Sequence, residues 1–151
     1  MARSNTAALE LADAREQGLM NIGQASAASG VTAKMIRHYE KVGLIPAADR
    51  TWSNYRLYSH DDVHTLQFVR RARDLGFSLE EIKELLGLWQ DRRRRSADVR
   101  RIALEHVRDL GARIAQMESM RRTLQHLAAD CHGDDRPDCP ILDDLASVEL
   151  A

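Results

Sequence analysis

The sequence predicts a mainly α-helical protein: a helix-turn-helix with a short β-hairpin wing, then one long helix, then a loop bearing both cysteines. Three observations carry this. Helical apolar spacing, interrupted by Gly and by cap residues, recurs between Met20 and Leu88. An apolar repeat stepping by four and three runs from Val99 to Ala128. Cys131 and Cys139, the only two cysteines, then bracket a polar, turn-forming segment.

The elements follow in order. Residues 1–19 are Ala-rich and mildly amphipathic (Leu9, Leu11, Ala14); partial helix is one reading, and a poorly ordered N-terminal extension is the one favoured. From Met20, the residues Ile22, Ala25 and Ala28 repeat at helical spacing up to Gly30. Thr32 is positioned to cap a second helix, Ala33–Val42, with Met35, Ile36 and Tyr39 on one face and Gly43 as its stop. Two short helices around a Gly-containing turn make a helix-turn-helix. Residues 50–58 are short and aromatic, and Asn54 tolerates left-handed backbone angles, so they predict a hairpin. Ser59 and Ser78 each open a further helix, the first closed by Gly76, the second with Glu80 and Glu81 in its first turn.

In the long helix, eight of the nine positions Val99, Ala103, Val107, Leu110, Ile114, Met117, Arg121, Leu124 and Ala128 are apolar. That repeat specifies a narrow coiled-coil seam. About 30 residues make a rod of roughly 45 Å. So small a domain cannot cover it, and a homodimer is expected. The domain boundaries are then 1–19 (extension), 20–90 (winged helix-turn-helix), 91–129 (linker and dimerisation helix) and 130–151 (loop and short C-terminal helix).

Composition bounds the function. Apolar residues at 44% and charged residues at 30% are an ordinary soluble balance. No apolar run is long enough to span a membrane, and no secretory leader precedes the fold, so an intracellular chain with reduced thiols is expected. Net charge is −1, but it is unevenly spread. Residues 20–101 carry 15 Lys/Arg against 10 Asp/Glu, whereas residues 130–151 carry one Arg against seven acids. A basic front half suits a polyanion such as DNA, from which the acidic tail would point away. Lys34, Arg37 and His38 fall on the outer side of the second helix, where they could reach phosphates or base edges, and Tyr39 could touch backbone or a thymine methyl. Arg50 and Arg56 flank the hairpin, and Arg70, Arg71 and Arg73 form a third cationic cluster. No catalytic constellation is present, so an enzyme is not expected.

These residues resemble the MerR family of transcriptional regulators. The resemblance is carried by Ile22-Gly23-Gln24-Ala25, by Thr32 through Glu40, by Gly43-Leu44-Ile45 and by Asn54-Tyr55-Arg56-Leu57-Tyr58. Leu66 through Phe77 and Glu80-Glu81-Ile82 extend it. Within the family the chain is most similar to CueR-type copper-efflux regulators, through Ser96-Ala97-Asp98-Val99 and the loop ending in Cys139-Pro140-Ile141-Leu142. The resemblance implies a bacterial cytoplasmic homodimer, joined by an antiparallel coiled coil, on double-stranded promoter DNA. It implies DNA contacts from Thr32, Lys34, Arg37, His38, Tyr39, Arg50, Asn54, Tyr55, Arg56, Arg70 and Arg73. Each cysteine loop would lie near the start of the partner's long helix, where Ser96 sits. Relatives that sense divalent ions carry a third Cys there, and Ser96 cannot replace it. Cys131 and Cys139 would then hold one Cu(I), Ag(I) or Au(I) per protomer, with Ser96 a selectivity residue and not a ligand. Two thiolates and a monovalent ion leave a single negative charge, which Ser96 and nearby backbone N–H groups could stabilise; zinc wants four ligands.

The implied mechanism is promoter distortion. The ion orders the loop and the segment Ile141–Val148, the DNA-binding heads shift, and an overlong spacer bends and undertwists so that RNA polymerase engages both promoter elements. Two alternatives stay open: a divalent sensor in which His132 joins the cysteines, and a thiol-redox-responsive DNA-binding protein. His38, His60, His64, His106 and His126 show no metal-ligand spacing. The chain departs from its relatives in Trp52-Ser53-Asn54 at the wing, where they commonly have Glu-Asn-Gly, and in the run Arg92–Arg95, expected to be a solvated connector. Pro137 stiffens the cysteine loop, and Asp134, Asp135 and Asp138 are expected to form turns and caps.

Overall fold

A computed structural model describes residues 11–51 and 53–147. The order is α1 (Leu11–Glu16), α2 (Ile22–Ser29), α3 (Ala33–Lys41), β1 (Asp49–Arg50), β2 (Arg56–Leu57), α4 (His60–Asp74), α5 (Leu79–Gln90), α6 (Ser96–Asp130) and α7 (Pro140–Ala146). The chain divides into two compact units, one up to Arg95 and one from Ser96.

Local chemistry sets the helix ends of the first unit. Asn21, Ser59 and Ser78 each form a reciprocal capping box, with Gln24, Asp62 and Glu81. The oxygen of each cap accepts from a first-turn N–H, and the third helical side chain accepts from the cap's own N–H. Thr32 caps α3 by accepting from Met35 N at 3.2 Å. Gly30 closes α2 at a φ of 77°, which an L side chain adopts only with strain. A Cβ there would also meet the Arg70 guanidinium, with Nη1 at 1.8 Å. The positive φ is what requires glycine at the junction, since the guanidinium lies at the end of a flexible side chain.

One core holds these elements together. Ile36 (α3), Tyr58, Leu66 and Val69 (α4) and Ile82 (α5) are sealed from solvent, with Ala25, Val31, Tyr39, Leu44, Ile45 and Leu86 around them. β1 and β2 pair antiparallel with Asp49 opposite Leu57 and Arg50 opposite Arg56. Met20 adds an isolated bridge to Tyr58, each N–H donating to the other's carbonyl at 2.8 Å. The expectation of a poorly ordered extension is corrected at its C-terminal end: Leu11–Glu16 is helical, and Ala14 is buried. Leu9 lies outside the described residues.

The second unit is α6 with α7 lying against it. α6 is 35 residues, longer than the apolar repeat from Val99 to Ala128, because it starts at Ser96 and runs to Asp130. At 1.5 Å per residue it spans roughly 52 Å. Ile102 and His106 are buried, but along the seam Val107, Ile114, Met117 and Leu124 are each more than half exposed. Among the described residues no helix is long and apolar enough to cross a membrane.

Candidate functional site

α3 divides its side chains by helical phase. Ile36 and Tyr39 face the core; Thr32, Lys34, Arg37 and His38 are exposed on the other side. Lys34, Arg37 and His38 therefore form the outward cationic face that the sequence places there. Tyr39 does not join them. It is only 4% exposed and packs in the core cluster, so its ring cannot lie against a thymine methyl. Its spacing of three from Ile36 puts both on the buried stripe.

The wing is a tight, internally braced hairpin. Thr51 N donates to Tyr55 O and Asn54 N to Thr51 O, both at 2.9 Å. Tyr55 N donates to Thr51 Oγ1 at 3.1 Å. Asn54 takes a φ of 66°, the left-handed angle its side chain tolerates. Arg50 Nη1 reaches across the turn to Asn54 Oδ1 at 3.1 Å and Asn54 O at 3.3 Å. Tyr55 is exposed at the tip, and Trp52 lies outside the described residues.

Glu40, at the end of α3, ties the wing to the recognition helix. It accepts from Arg56 Nε at 3.2 Å and from the Tyr58 hydroxyl. The Glu40 side chain is 9% exposed and that of Arg56 28%, so the pair is partly desolvated and stronger than a surface pair. Burial, and then the Glu40 carboxylate, push the Tyr58 phenol well above its usual range and keep it a donor. Arg56, expected as a phosphate contact, is thus first an anchor of the wing. Sequence reasoning missed the Glu40–Tyr58 partnership because it joins positions 18 residues apart across different elements.

On α4, Arg70, Arg71 and Arg73 are all exposed. Arg70 and Arg71 line a cleft with Ala28, Gly30 and Gln67, and Gln67 Nε2 donates to Ala28 O at 3.1 Å, tying α4 to α2. Arg73 Nη1 donates to Phe77 O at 2.9 Å, which commits part of its guanidinium to the turn after α4.

In the second unit, Cys131 directly follows α6 and Cys139 is the N-cap of α7. Both are free thiols and half-buried. Pro140 opens α7, where its missing N–H costs nothing. Gly133 turns the loop at a φ of 62°. Asp134 accepts from Arg136 N at 3.0 Å and Arg136 Nε at 2.7 Å. That arginine holds the Asp134 carboxyl below its usual range. Asp134 is therefore a turn former, as expected, with its oxygens already engaged. Asp135, Asp138 and His132 are exposed. Among the described residues no group of three or more His, Cys, Asp or Glu is arranged to hold a metal. Within this loop the soft donors are the two thiols. Ser96, the first residue of α6, is exposed.

Comparison with known proteins places this geometry. The family described as "MerR HTH family regulatory protein" matches residues 20–88, and "MerR, DNA binding" matches residues 63–127. The chain is 63% identical to "Heavy metal-dependent transcription regulator 2" of Rhizobium meliloti (strain 1021) over 128 residues, 85% of this chain and 87% of that protein. It is 43% identical to the transcriptional regulator CueR of Salmonella typhimurium over 127 residues, 84% of this chain and 92% of that protein. Among solved structures, the regulator PbrR691 of Ralstonia metallidurans CH34, in complex with lead(II), superposes with a TM-score of 0.71 at 28% identity, covering 84% of this chain and 99% of that one. An outward cationic helix face, a braced wing and a long helix, matched by these relatives over most of their length, lead to one statement: the chain belongs to the MerR family of transcription regulators, DNA-binding proteins and not enzymes.

Proposed function

We propose that this protein is a metal-responsive transcription regulator that binds promoter DNA as a homodimer and responds to a monovalent soft ion, Cu(I), Ag(I) or Au(I). The ion is held by Cys131 and Cys139, one per protomer. The observation that carries the reading is the donor set: two free, half-buried thiols at the two ends of one short loop, with the nearest turn carboxylate already engaged by Arg136. Thiolates suit soft ions, and a two-donor set suits an ion that accepts linear coordination. The names of the relatives, heavy metal-dependent regulator and CueR, support the same class.

On this reading α3, Arg50, Asn54 and Tyr55 of the wing, and Arg70 and Arg71 of α4 face the duplex. The exposed seam of α6 pairs with the same seam of a second copy in an antiparallel coiled coil. The bound ion supplies a fixed link between the two ends of the loop. The chain's own residues convert that link into a shift of the DNA-binding heads, so promoter shape changes more than affinity, and RNA polymerase engages the reshaped promoter. Ser96 supplies no thiolate, which keeps the site at two sulfurs.

The test is competition of the full-length dimer against a strong Cu(I) chelator. About one Cu(I) per protomer should be retained, and Cys131→Ser with Cys139→Ser should abolish retention. Stoichiometric Cu(I) on the double variant would overturn the assignment. A second reading, a divalent site completed by His132, is favoured by the lead(II) complex of PbrR691. It requires tight Zn(II) or Pb(II) binding that His132→Ala weakens.

A further inference from the structure

The run Arg92-Arg93-Arg94-Arg95 has no part in that reading. It forms the turn between α5 and α6, and all four residues are exposed. Arg94 is spent on the end of α5, donating from Nη1 to the carbonyls of Trp89 at 3.1 Å and Asp91 at 3.2 Å. Asp91 Oδ1 accepts from Arg93 N at 2.8 Å and shapes the turn. Among the described residues, the guanidinium groups of Arg92 and Arg93 make no ion pair.

At the other end of α6 the sign reverses. Arg136 neutralises Asp134, but Asp135 and Asp138 are exposed and make no ion pair among the described residues. Unpaired cations thus precede the long helix, and unpaired carboxylates follow it.

A seam that pairs with its own copy has two choices. Parallel pairing sets acidic loop against acidic loop and arginine run against arginine run. Antiparallel pairing sets each arginine run beside an acidic loop, and the Coulomb terms favour it. Full overlap of the seam then fixes the register, with Val99 opposite Ala128 of the partner subunit. The same register brings Ser96, the first residue of α6, level with the end of the partner subunit's α6, so the Arg92–Arg95 connector and the partner's cysteine loop lie at the same end of the pair.

We infer that Arg92 and Arg93 are positioning residues that grip Asp135 and Asp138 of the partner subunit, an electrostatic latch holding each cysteine loop against the other chain's α5–α6 connector. The inference rests on the self-paired α6 of the proposed function. Two thiolates holding a monovalent ion carry one net negative charge, and the same cations stabilise it. The latch also gives the loop a contact with the segment through which one chain's DNA-binding unit joins its dimerisation helix.

The test uses full-length protein lacking its native thiols (Cys131→Ser, Cys139→Ser) and engineered cysteine pairs under mild oxidation. Because the two ends of one α6 are roughly 52 Å apart, a disulfide between them must join two chains. Val99→Cys with Ala128→Cys should give cross-linked dimer, and so should Arg92→Cys with Asp135→Cys. If the first pair fails, the antiparallel dimer fails and the latch with it. If the first succeeds and the second does not, the latch alone is overturned. In the protein with native thiols, Arg92→Glu with Arg93→Glu should weaken Ag(I) affinity roughly threefold to tenfold at low salt, and the loss should shrink near 1 M salt, where screening acts within about 3 Å. Adding Asp135→Arg with Asp138→Arg should restore it. Unchanged Ag(I) affinity, with weaker DNA binding and a shallower salt slope instead, would assign the arginines to phosphates and overturn the latch.

Discussion

In the unit up to Arg95, Ile36, Leu66, Val69 and Ile82 are sealed from solvent; along α6, Val107, Ile114, Met117 and Leu124 stand more than half exposed. The first unit closes its own core, caps its helices reciprocally and braces its wing through Glu40. The second offers an apolar stripe, and only Ile102 and His106 of α6 are buried among the described residues. The head is specified by its own contacts, whereas on the proposed reading the second unit is completed by a second chain.

Core and seam substitutions should separate the two. Ile36→Ala should cost about 2–5 kcal/mol, because it opens a cavity in a closed core. Urea unfolding followed by circular dichroism should show a lower midpoint with an unchanged slope. Ile114→Asp with Met117→Asp should leave the head folded but weaken self-association by roughly a hundredfold or more, since carboxylates would be buried against the partner seam. Analytical ultracentrifugation should read a monomer. A double variant that stays dimeric would break the comparison.

Smaller effects sharpen the account of the head. Gly30→Ala should cost about 1–2 kcal/mol from the left-handed backbone angle. The Arg70 guanidinium sits at the end of a flexible side chain and can swing away from the new methyl, so Arg70→Ala in the same protein should recover little. A larger recovery would mean that contact, not backbone, sets the cost.

The Tyr58 phenol is raised by folding, so the folded state holds its proton more tightly than the unfolded chain does. The resulting stability is complete below about pH 10, where a free phenol titrates, and is lost as pH rises beyond it. Urea midpoints of the parent should therefore fall above that pH, and Tyr58→Phe should flatten the dependence.

What the sequence made legible divides along the same line. Helix positions, the stops at Gly30 and Gly76, the caps Thr32, Ser59 and Ser78 and the turn at Asn54 are local signals, readable because each depends on residues within a few positions. Tyr39 satisfies two patterns, a helix-face position that buries it and an aromatic near a cationic cluster, and the packing of the core decides for the first. The tie of Arg56 and Tyr58 to Glu40, and the commitment of Arg73 to Phe77, depend on tertiary approach or on a turn's carbonyl, which no periodicity carries. The apolar repeat alone starts at Val99, and the three residues before it on α6, Ser96, Ala97 and Asp98, carry no seam position that would mark the helix start. In the loop, Cys131 and Cys139 were legible as a pair by composition alone, while the Asp134–Arg136 clasp between them was not.

On the proposed reading one monovalent ion sits between the two sulfurs of a single loop, Cys131 and Cys139. X-ray absorption at the copper edge of Cu(I)-loaded, full-length dimer tests it most directly. The account predicts two sulfur scatterers and no nitrogen shell, unchanged in His132→Ala and Ser96→Ala. A third sulfur, or an imidazole shell that disappears in His132→Ala, would contradict it.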